Sequence, residues 1–198
     1  MLEITPETGS EEFAFSLPIY RAEKLARAKA SDGATFSIYA GLHRNFVEQL
    51  RAYSLEDSDT ELAVSTRDRT RFGLGSYESW YGKGRTPFAL VADEGDVLAA
   101  IAWFGPKSYP LRHDGHVEGK EYTASFRAYK PYRGMHLMED FSKYALSHFD
   151  RCFPEVFLWL ETNSGKGTRL FQKLGFEEVG ELSPLGKTVM IRAYCSEL

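Results

Sequence analysis

The sequence is poor in cysteine and has no long hydrophobic run. Cys152 and Cys195 are its only cysteines among 198 residues, which is too few for a disulfide framework or a thiolate metal site. We therefore expect two buried or unreactive thiols and no bound metal. No apolar run approaches the length that crosses a membrane, and residues 1–10 are acidic, without the apolar core of a signal peptide. These absences predict a cytoplasmic protein with no membrane partner.

Positive charge is not in excess either. The chain has 24 Lys and Arg against 28 Asp and Glu, a net charge of −4, and this balance argues against nucleic acid as the main partner. It is compatible with a cationic amine as a ligand. With 43% hydrophobic and 14% aromatic residues, the composition is that of a globular protein long enough to bury a sizeable core. We expect a single domain over residues 1–198.

The N-terminal part shows weak patterns of secondary structure. Apolar alternation over residues 13–19 predicts an opening edge strand, and the helix formers of residues 22–30 predict a helix. Apolar residues at helical spacing predict a second helix over residues 37–53. Residues 54–71 are polar and without a clear period, and residues 76–81 predict a short helix.

The C-terminal half alternates strands and helices. Two apolar runs, residues 88–92 and 97–104, flank the turn sequence at residues 93–96 and predict a hairpin with both faces covered. His113 and His116 follow in a loop; their spacing could suit a metal, but no helix aims them, and we expect a surface loop. Further strands are predicted at residues 122–129, 156–161, 176–182 and 188–194, and helices at residues 136–149 and 168–174.

Two segments of this half indicate a chemistry. Residues 130–137 (KPYRGMHL) form a basic, glycine-containing turn that opens a helix, and the N–H groups at such a helix start bind anions. This turn predicts a phosphate-bearing ligand. Residues 169–176 (RLFQKLGF) form a short helix that Gly175 ends, with a strand directly after it. By contrast, residues 180–188 end in Gly-Lys-Thr but are one residue too long for a Walker A loop and precede no helix.

These two segments resemble the GCN5-related N-acetyltransferase (GNAT) superfamily. Its pattern is a strand followed by Arg/Gln-x-x-Gly-x-Gly/Ala opening a helix, and later a helix reading roughly Leu-Tyr-Glu-Lys-x-Gly-Phe. Arg133 stands at the Arg/Gln position, whereas His136 and Met138 stand where the family prefers glycine, and glycine or alanine. Phe171 stands where many members carry tyrosine. The resemblance covers about the C-terminal half of the chain, and the second segment follows the pattern more closely.

The resemblance implies a fold, a cofactor and an activity. The fold is a mixed, mostly antiparallel sheet with helices on both faces, in which residues 122–129 and 156–161 would be the two splayed central strands. Acetyl-CoA would lie in the gap between them as the cosubstrate. The implied activity is direct transfer of its acetyl group to a small amine or a peptide amine.

The cofactor site follows from the same resemblance. Backbone N–H groups of residues 135–138 would meet the pyrophosphate, and the Arg133 side chain would add a charged contact. The family's asparagine position falls on Asn163 by residue type and on Ser164 by counting back from Leu-Gly-Phe. The expected cofactor-binding residues are Ala128, Tyr129, Arg133, Gly134, Met135, His136, Leu137, Met138, Asn163, Ser164 and Phe171.

The expected catalytic residue is Glu161, at the end of one splayed strand. Glu161 could take the amine proton directly or through water, and Glu121 at the start of the other strand is the alternative. Phe171 has no proton to give to the departing thiolate. The N-terminal part would form the acceptor wall, or else a solvated loop with packed aromatics. Its candidate contacts are Asp57, Asp59, Asp68, Arg71, Tyr77 and Trp80.

Two other functions fit the same sequence. One is a binding or regulatory module that keeps the GNAT fold without turnover. The other is a related transferase that takes an aminoacyl group from charged tRNA, against which the net negative charge counts. A homodimer is compatible with all three, and the sequence does not name the acceptor.

Overall fold

A computed structural model describes residues 1–10, 13–15, 17–111, 120–163 and 165–192. Within these ranges the strands form one nine-stranded sheet. The strands are β1 (Leu2–Pro6), β2 (Ala22–Ala30), β3 (Thr35–Gly41), β4 (Thr86–Ala92), β5 (Val97–Pro106), β6 (Glu121–Ala128), β7 (Phe157–Thr162), β8 (Phe176–Leu182) and β9 (Thr188–Arg192). Their order is β1-β2-β3-β4-β5-β6-β7-β9-β8. Every neighbouring pair is antiparallel except β6 and β7, which are parallel.

Helices cover both faces of this sheet. They are α1 (Arg44–Leu55), α2 (Thr60–Ser65), a π-helical turn (Arg69–Gly73), α3 (Tyr77–Tyr81), α4 (Met138–Cys152) and α5 (Gly165–Lys173). The helices α1 and α3 and the π-helical turn pack on one face, and α4 and α5 pack on the other. We call them the acceptor face and the cofactor face, after the roles that the resemblance implies.

The central hairpin of β4 and β5 is confirmed. Alternate residues of β5 supply the two cores: Trp103 packs edge-on against Trp80 with ring centroids 5.8 Å apart, and Phe104 stacks on Phe149 at 4.3 Å. Because both faces of these strands are covered, their sequences are continuously apolar rather than alternating.

The strands β6 and β7 diverge after a short paired stretch. They pair from Glu121↔Phe157 to Thr123↔Trp159 only. Beyond that point β6 continues along β5, and β7 continues along β9. Each strand therefore keeps one neighbour and loses the other, which opens a gap inside the sheet. The expected fold, a mixed and mostly antiparallel sheet with splayed central strands, is confirmed.

Three of the N-terminal predictions are wrong. Residues 22–30 form β2, not a helix, because Ala28 and Ala30 face the core while Arg27 and Lys29 face solvent. Side chains that alternate in this way are buried on one face only when the segment pairs with other strands. The burial gained there outweighs the helical preference of the residues themselves. Residues 13–19 contain no strand in their described part; Phe13 and Phe15 pack as part of the cofactor-face core instead.

The predicted helix over residues 37–53 is two elements. Its first part belongs to β3, and α1 begins only at Arg44. Tyr39 and Leu42 fit a helical spacing, but Phe36, Ile38 and Ala40 alternate into the core as a strand. The polar stretch that follows α1 has no clear hydrophobic period, yet it contains both α2 and the π-helical turn.

The C-terminal elements agree with their predictions to within a few residues. Gly175 has a φ of 82° after α5, which is the left-handed conformation expected of a glycine that ends a helix. Residues 112–119, with His113 and His116, lie outside the described residues, as do residues 193–198 with Cys195. Among the described residues, no helix has both the length and the apolar character that crossing a membrane requires.

Candidate active site

A cleft of about 730 Å³ lies where β6 and β7 diverge. Because side chains alternate along β6, Thr123, Ser125 and Arg127 point to the acceptor face, and Ala124 and Phe126 point to the cofactor face. All five line the cleft, which therefore runs through the sheet.

The turn before α4 carries a conformation that glycine normally adopts. Gly134 has a φ of 90° and His136 a φ of 57°, and His136 is exposed. The N–H groups of His136, Leu137 and Met138 have no hydrogen-bond acceptor within the part of the chain that the structure describes. These unpaired donors, with the positive end of the α4 dipole behind them, form an arrangement that can bind an anion.

Of the two acids in the first turn of α4, Glu139 is paired with lysines, and Asp140 accepts a hydrogen bond from the N–H of Leu2. Glu139 accepts hydrogen bonds from Lys143 at 2.8 Å and from Lys173 of α5 at 2.6 Å. These two lysines lower the pKa of Glu139 to about 2. The carboxylate therefore does not leave an unpaired negative charge beside the helix start, and its contact with Lys173 ties α4 to α5.

The guanidinium of Arg133 is bound to a residue that sequence analysis had placed on the acceptor wall. Its Nη1 and Nη2 lie 2.7 and 2.5 Å from Oδ1 and Oδ2 of Asp59, and its Nε lies 3.2 Å from the carbonyl of Ala128. The hydrogen bonds from Arg133 hold the pKa of Asp59 below its ordinary range, and Asp59 raises that of Arg133. Arg133 thus fastens the turn to β6 and to α2, and its contact with a phosphate stays a prediction.

Glu161 lines the cleft on the acceptor face. Its Oε2 lies 3.1 Å from Nζ of Lys107, which also sits over the Trp159 ring at 4.4 Å. Burial raises the pKa of Glu161, but the hydrogen bonds from Ser183 and Lys107 lower it more, so that the pKa lies below its ordinary value. Glu161 is therefore ionised at neutral pH.

Glu121, the alternative base, does not line the cleft. It is buried at the start of β6, and its Oε2 accepts a hydrogen bond from the N–H of Tyr109 at 2.8 Å. This contact fixes the loop after β5 against β6. The geometry gives Glu121 a structural position.

The remaining predicted cofactor residues lie in different places. Ala128, Asn163 and Phe171 line the cleft, and the Phe171 ring packs 5.8 Å from that of Phe126. Tyr129 does not; it is fully buried on the acceptor face, stacked on Tyr53 at 4.7 Å, and burial raises its pKa well above the ordinary value. Gly134, Met135 and Leu137 belong to the turn, and Ser164 lies outside the described residues.

The acceptor-wall candidates also divide. Arg71 and Trp80 line the cleft, and Asp68 lies buried beneath it. Asp59 caps α2 by accepting from the N–H of Leu62 at 3.1 Å. The other two face away from the cleft: Asp57 forms an exposed ion pair with Arg69, and Tyr77 is buried among aromatic rings.

Sequence analysis had named Asp68 and Arg71, but it missed Trp103, Thr123, Ser125 and Arg127, which line the cleft. Asp68 binds Arg71 at 2.6 Å and Arg127 at 3.0 Å, and both guanidinium groups lie over the Trp103 ring, at 5.4 and 5.1 Å. The alternation of Thr123, Ser125 and Arg127 with apolar residues in β6 could have indicated a polar face. Among the described residues, no group of three or more His, Cys, Asp or Glu is arranged to hold a metal ion.

Comparison with known proteins finds likeness in structure only. No family model matches the sequence, and no curated protein does. Spermidine N-acetyltransferase from Vibrio cholerae, in complex with CoA and spermine, superposes with a TM-score of 0.56 at 13% identity, over 79% of this chain and 92% of that one. The GNAT domain of PAT from S. lividans superposes with a TM-score of 0.55 at 13% identity, over 89% of this chain and 98% of that one. Aminoglycoside acetyltransferase AAC(6')-Ib, in complex with coenzyme A and kanamycin, superposes with a TM-score of 0.55 at 16% identity, over 79% of this chain and 95% of that one.

These matches cover most of both chains, although few residues are identical. They agree with the resemblance carried by residues 130–137 and 169–176, and with the gap between β6 and β7. The chain therefore has the fold of the GCN5-related N-acetyltransferase superfamily.

Proposed function

We propose that this protein is an acetyl-CoA-dependent N-acetyltransferase that acts on a small amine or a peptide amine. The observation that carries the proposal is the cleft at the divergence of β6 and β7. It passes through the sheet from Phe171 on the cofactor face to Glu161 on the acceptor face. A thioester and an amine that entered from opposite faces would meet inside it, which is the positioning that acyl transfer needs.

The residues on the cofactor face fit acetyl-CoA. The unpaired N–H groups of His136, Leu137 and Met138 suit a pyrophosphate that lies outside the cleft lining. Asn163 and Phe171 line the cleft itself. Beyond Thr123 and Trp159, β6 and β7 no longer pair with each other, which leaves room for the amide groups of the pantetheine arm between their edges. When bound, acetyl-CoA supplies an acyl group activated as a thioester.

The general base lies on the acceptor face of the cleft. As the amine nitrogen forms its bond to the acetyl carbon and the bond from that carbon to sulfur breaks, the nitrogen must lose one proton. Glu161 is ionised and lines this side of the cleft, so it takes that proton directly or through water. The products are an N-acetyl amine and the free thiol of CoA.

The departing thiolate has no tyrosine beside it at position 171. Phe171 packs on Phe126 and Phe176, Tyr132 packs on Phe36 with centroids 5.7 Å apart, and His136 is exposed. A thiol titrates near about 8.5, so a thiolate leaves acceptably at neutral pH and can take its proton from water. We propose this route for the leaving group.

Two measurements on the purified protein test the proposed function. Acetyl-CoA at about a hundred times its Kd should raise the free energy of unfolding by about 2.7 kcal/mol, and an amine panel with acetyl-CoA should release free thiol. Absence of a thermal shift with acetyl-CoA and with other acyl-CoAs would remove the cofactor from the proposal. Tight acetyl-CoA binding without thiol release across a broad panel would favour the non-catalytic module instead.

A further inference from the structure

The acceptor side of the cleft is basic, although the whole chain is acidic. Eight of the residues that line the cleft are arginine or lysine and two are glutamate, whereas the chain carries a net charge of −4. A cleft with this balance attracts anions and repels polycations. The proposed amine acceptor therefore meets a positive wall.

Four of these cations have an acidic partner among the described residues, and of the other four only Arg85 has guanidinium nitrogens closed off from solvent. Arg133 is bound to Asp59, and Lys107 is bound to Glu161. Arg71 and Arg127 share the single carboxylate of Asp68, which leaves an excess of one positive charge. Arg85 has no ion pair within the described part of the chain.

The Arg85 guanidinium is also short of hydrogen bonds. Its Nε and Nη1 are closed off from solvent and have no hydrogen-bond partner among the described residues. Burial, and then the positive charge of Arg71, lower the pKa of Arg85. An unpaired, partly buried guanidinium is unfavourable, and a bound anion would relieve it.

The backbone aims Arg85 at the base of the cleft. Arg85 directly precedes β4 and lies opposite Gly105 of β5, which pairs with Thr123, the last residue of β6 that pairs with β7. A β-carbon on Gly105 would lie 2.5 Å from Cδ and 2.6 Å from Nη1 of Arg85. The side chain therefore crosses β5 over the bare backbone of Gly105, toward the place where the strands diverge.

We infer that the acceptor is a small amine that carries a carboxylate, and that Arg85 binds this carboxylate. The inference rests on the proposed acetyltransferase function. A guanidinium donates charge-assisted hydrogen bonds to a carboxylate, and the charge excess of Arg71 and Arg127 favours the same anion. With its carboxylate at the base of the cleft, the amine nitrogen would extend toward Glu161 on the same face of the sheet.

Matched acceptors test the inference. We would measure kcat/KM for L-alanine against L-alaninamide and for β-alanine against β-alaninamide, with O-phosphoethanolamine and spermine as further arms. We expect kcat/KM for each carboxylate to exceed that for its amide by tenfold or more, and kcat/KM for spermine to be the lowest. Equal or better use of the amides or spermine would overturn the inference while the acetyltransferase function stood. A tenfold preference for O-phosphoethanolamine would overturn it in favour of a phosphate-bearing acceptor.

Variants of Arg85 locate the effect. Arg85→Met should lower kcat/KM for the carboxylates at least tenfold, leave the amides within about twofold, and leave the Kd of acetyl-CoA unchanged. Gly105→Ala, which displaces the guanidinium without removing its charge, should have the same selective effect. Lys83→Met removes an exposed cation from the rim of the same cleft and is the matched control. An equal loss of acetyl-CoA affinity in Arg85→Met would mean that Arg85 serves the phosphates of the cofactor, and the inference would fail.

A binding measurement keeps the inference testable without turnover. Calorimetric titration of L-alanine and β-alanine into the CoA-bound protein should show binding that the corresponding amides lack, and Arg85→Met should abolish it. No binding of either carboxylate to a protein that binds CoA would overturn the inference on its own. Failure of acetyl-CoA itself to bind would instead overturn the proposed function.

Discussion

Arg133 and Asp59 join the two sides of the cleft by a bidentate ion pair, Nη1 to Oδ1 at 2.7 Å and Nη2 to Oδ2 at 2.5 Å. Arg133 belongs to the turn before α4, and Asp59 caps α2 on the acceptor wall. The contact thus couples the position of the turn before α4 to the folding of a segment 74 residues away. The Asp59 carboxylate is nearly buried, so it depends on this partner.

We expect Arg133→Gln to lower the free energy of unfolding by about 1–3 kcal/mol, because it leaves a buried carboxylate without its counterion. It should also weaken acetyl-CoA binding by releasing the turn. Denaturant unfolding and titration with acetyl-CoA measure the two effects. If the pair acts as described, Arg133→Gln combined with Asp59→Asn should lose less stability than the sum of the single variants. Additive losses would show that the two residues act independently.

Glu161→Gln should lower turnover by about a hundredfold or more, because the variant cannot accept the amine proton, and it should leave the Kd of acetyl-CoA nearly unchanged. Glu121→Gln is the comparison: it should reduce stability by weakening the contact with Tyr109, yet retain turnover. Equal losses of turnover and cofactor binding in Glu161→Gln would mark a structural strand-end residue. A larger loss of turnover in Glu121→Gln would move the base to the start of β6.

Phe171→Tyr should keep turnover equal or raise it modestly, because it adds a hydroxyl near the leaving thiolate to a reaction that proceeds without one. Its packing on Phe126 and Phe176 should be retained, which thermal unfolding checks. Loss of activity in a folded, cofactor-binding Phe171→Tyr would mean that this ring does not lie beside the thioester sulfur.

The left-handed backbone conformation of His136 should reduce the stability of the turn. A residue with a β-carbon at a φ of 57° is less favourable than a glycine there by about 1 kcal/mol. His136→Gly should therefore be more stable than His136→Ala by roughly that amount and bind acetyl-CoA at least as tightly as the native protein. Both variants lack the imidazole, so their difference reports the backbone alone. Equal stability would indicate that the turn relaxes in one of them.

His148 should make the protein less stable at mildly acidic pH. Burial, and then the charge of Arg151, lower its pKa from 6.5 to about 4. The unfolded chain therefore binds a proton that the folded chain excludes as the pH falls from 6.5 toward 4, and stability is full above this window. Between pH 7 and pH 5 the loss should be about 1–2 kcal/mol. Denaturant unfolding at the two pH values should show a smaller difference in His148→Phe; an unchanged difference would assign the effect to other groups.

The C-terminal half could be predicted from its sequence because local signals coincide there. The hydrophobic period of α5 ends where Gly175 takes its left-handed conformation, and the apolar runs of β4 and β5 flank a turn sequence. The strand β2 could not, because its alanines, lysines and arginine prefer a helix locally. Only neighbouring strands, at positions that no short window of sequence contains, make the alternation of Ala28 and Ala30 favourable.

The site divides along the same line. The turn before α4 and the place of Glu161 were predictable because each adjoins a well-patterned element. The partner of Arg133 was not, since Asp59 lies in a segment without a period. Arg85 was missed for a similar reason: its role depends on the absence of a side chain at Gly105 on the next strand, and that pairing exists only in the folded sheet.

The strand pair with the fewest paired residues, β6 and β7, lies in the interior of the sheet and not at its edge. Only three residue pairs join the two strands, from Glu121↔Phe157 to Thr123↔Trp159. On the proposed function, the cosubstrate would bridge these two strands and become a structural member of the sheet for as long as it stays bound. The lifetime of the folded chain in a cell would then follow the supply of acetyl-CoA, because a ligand that binds only the folded state protects it from unfolding and degradation.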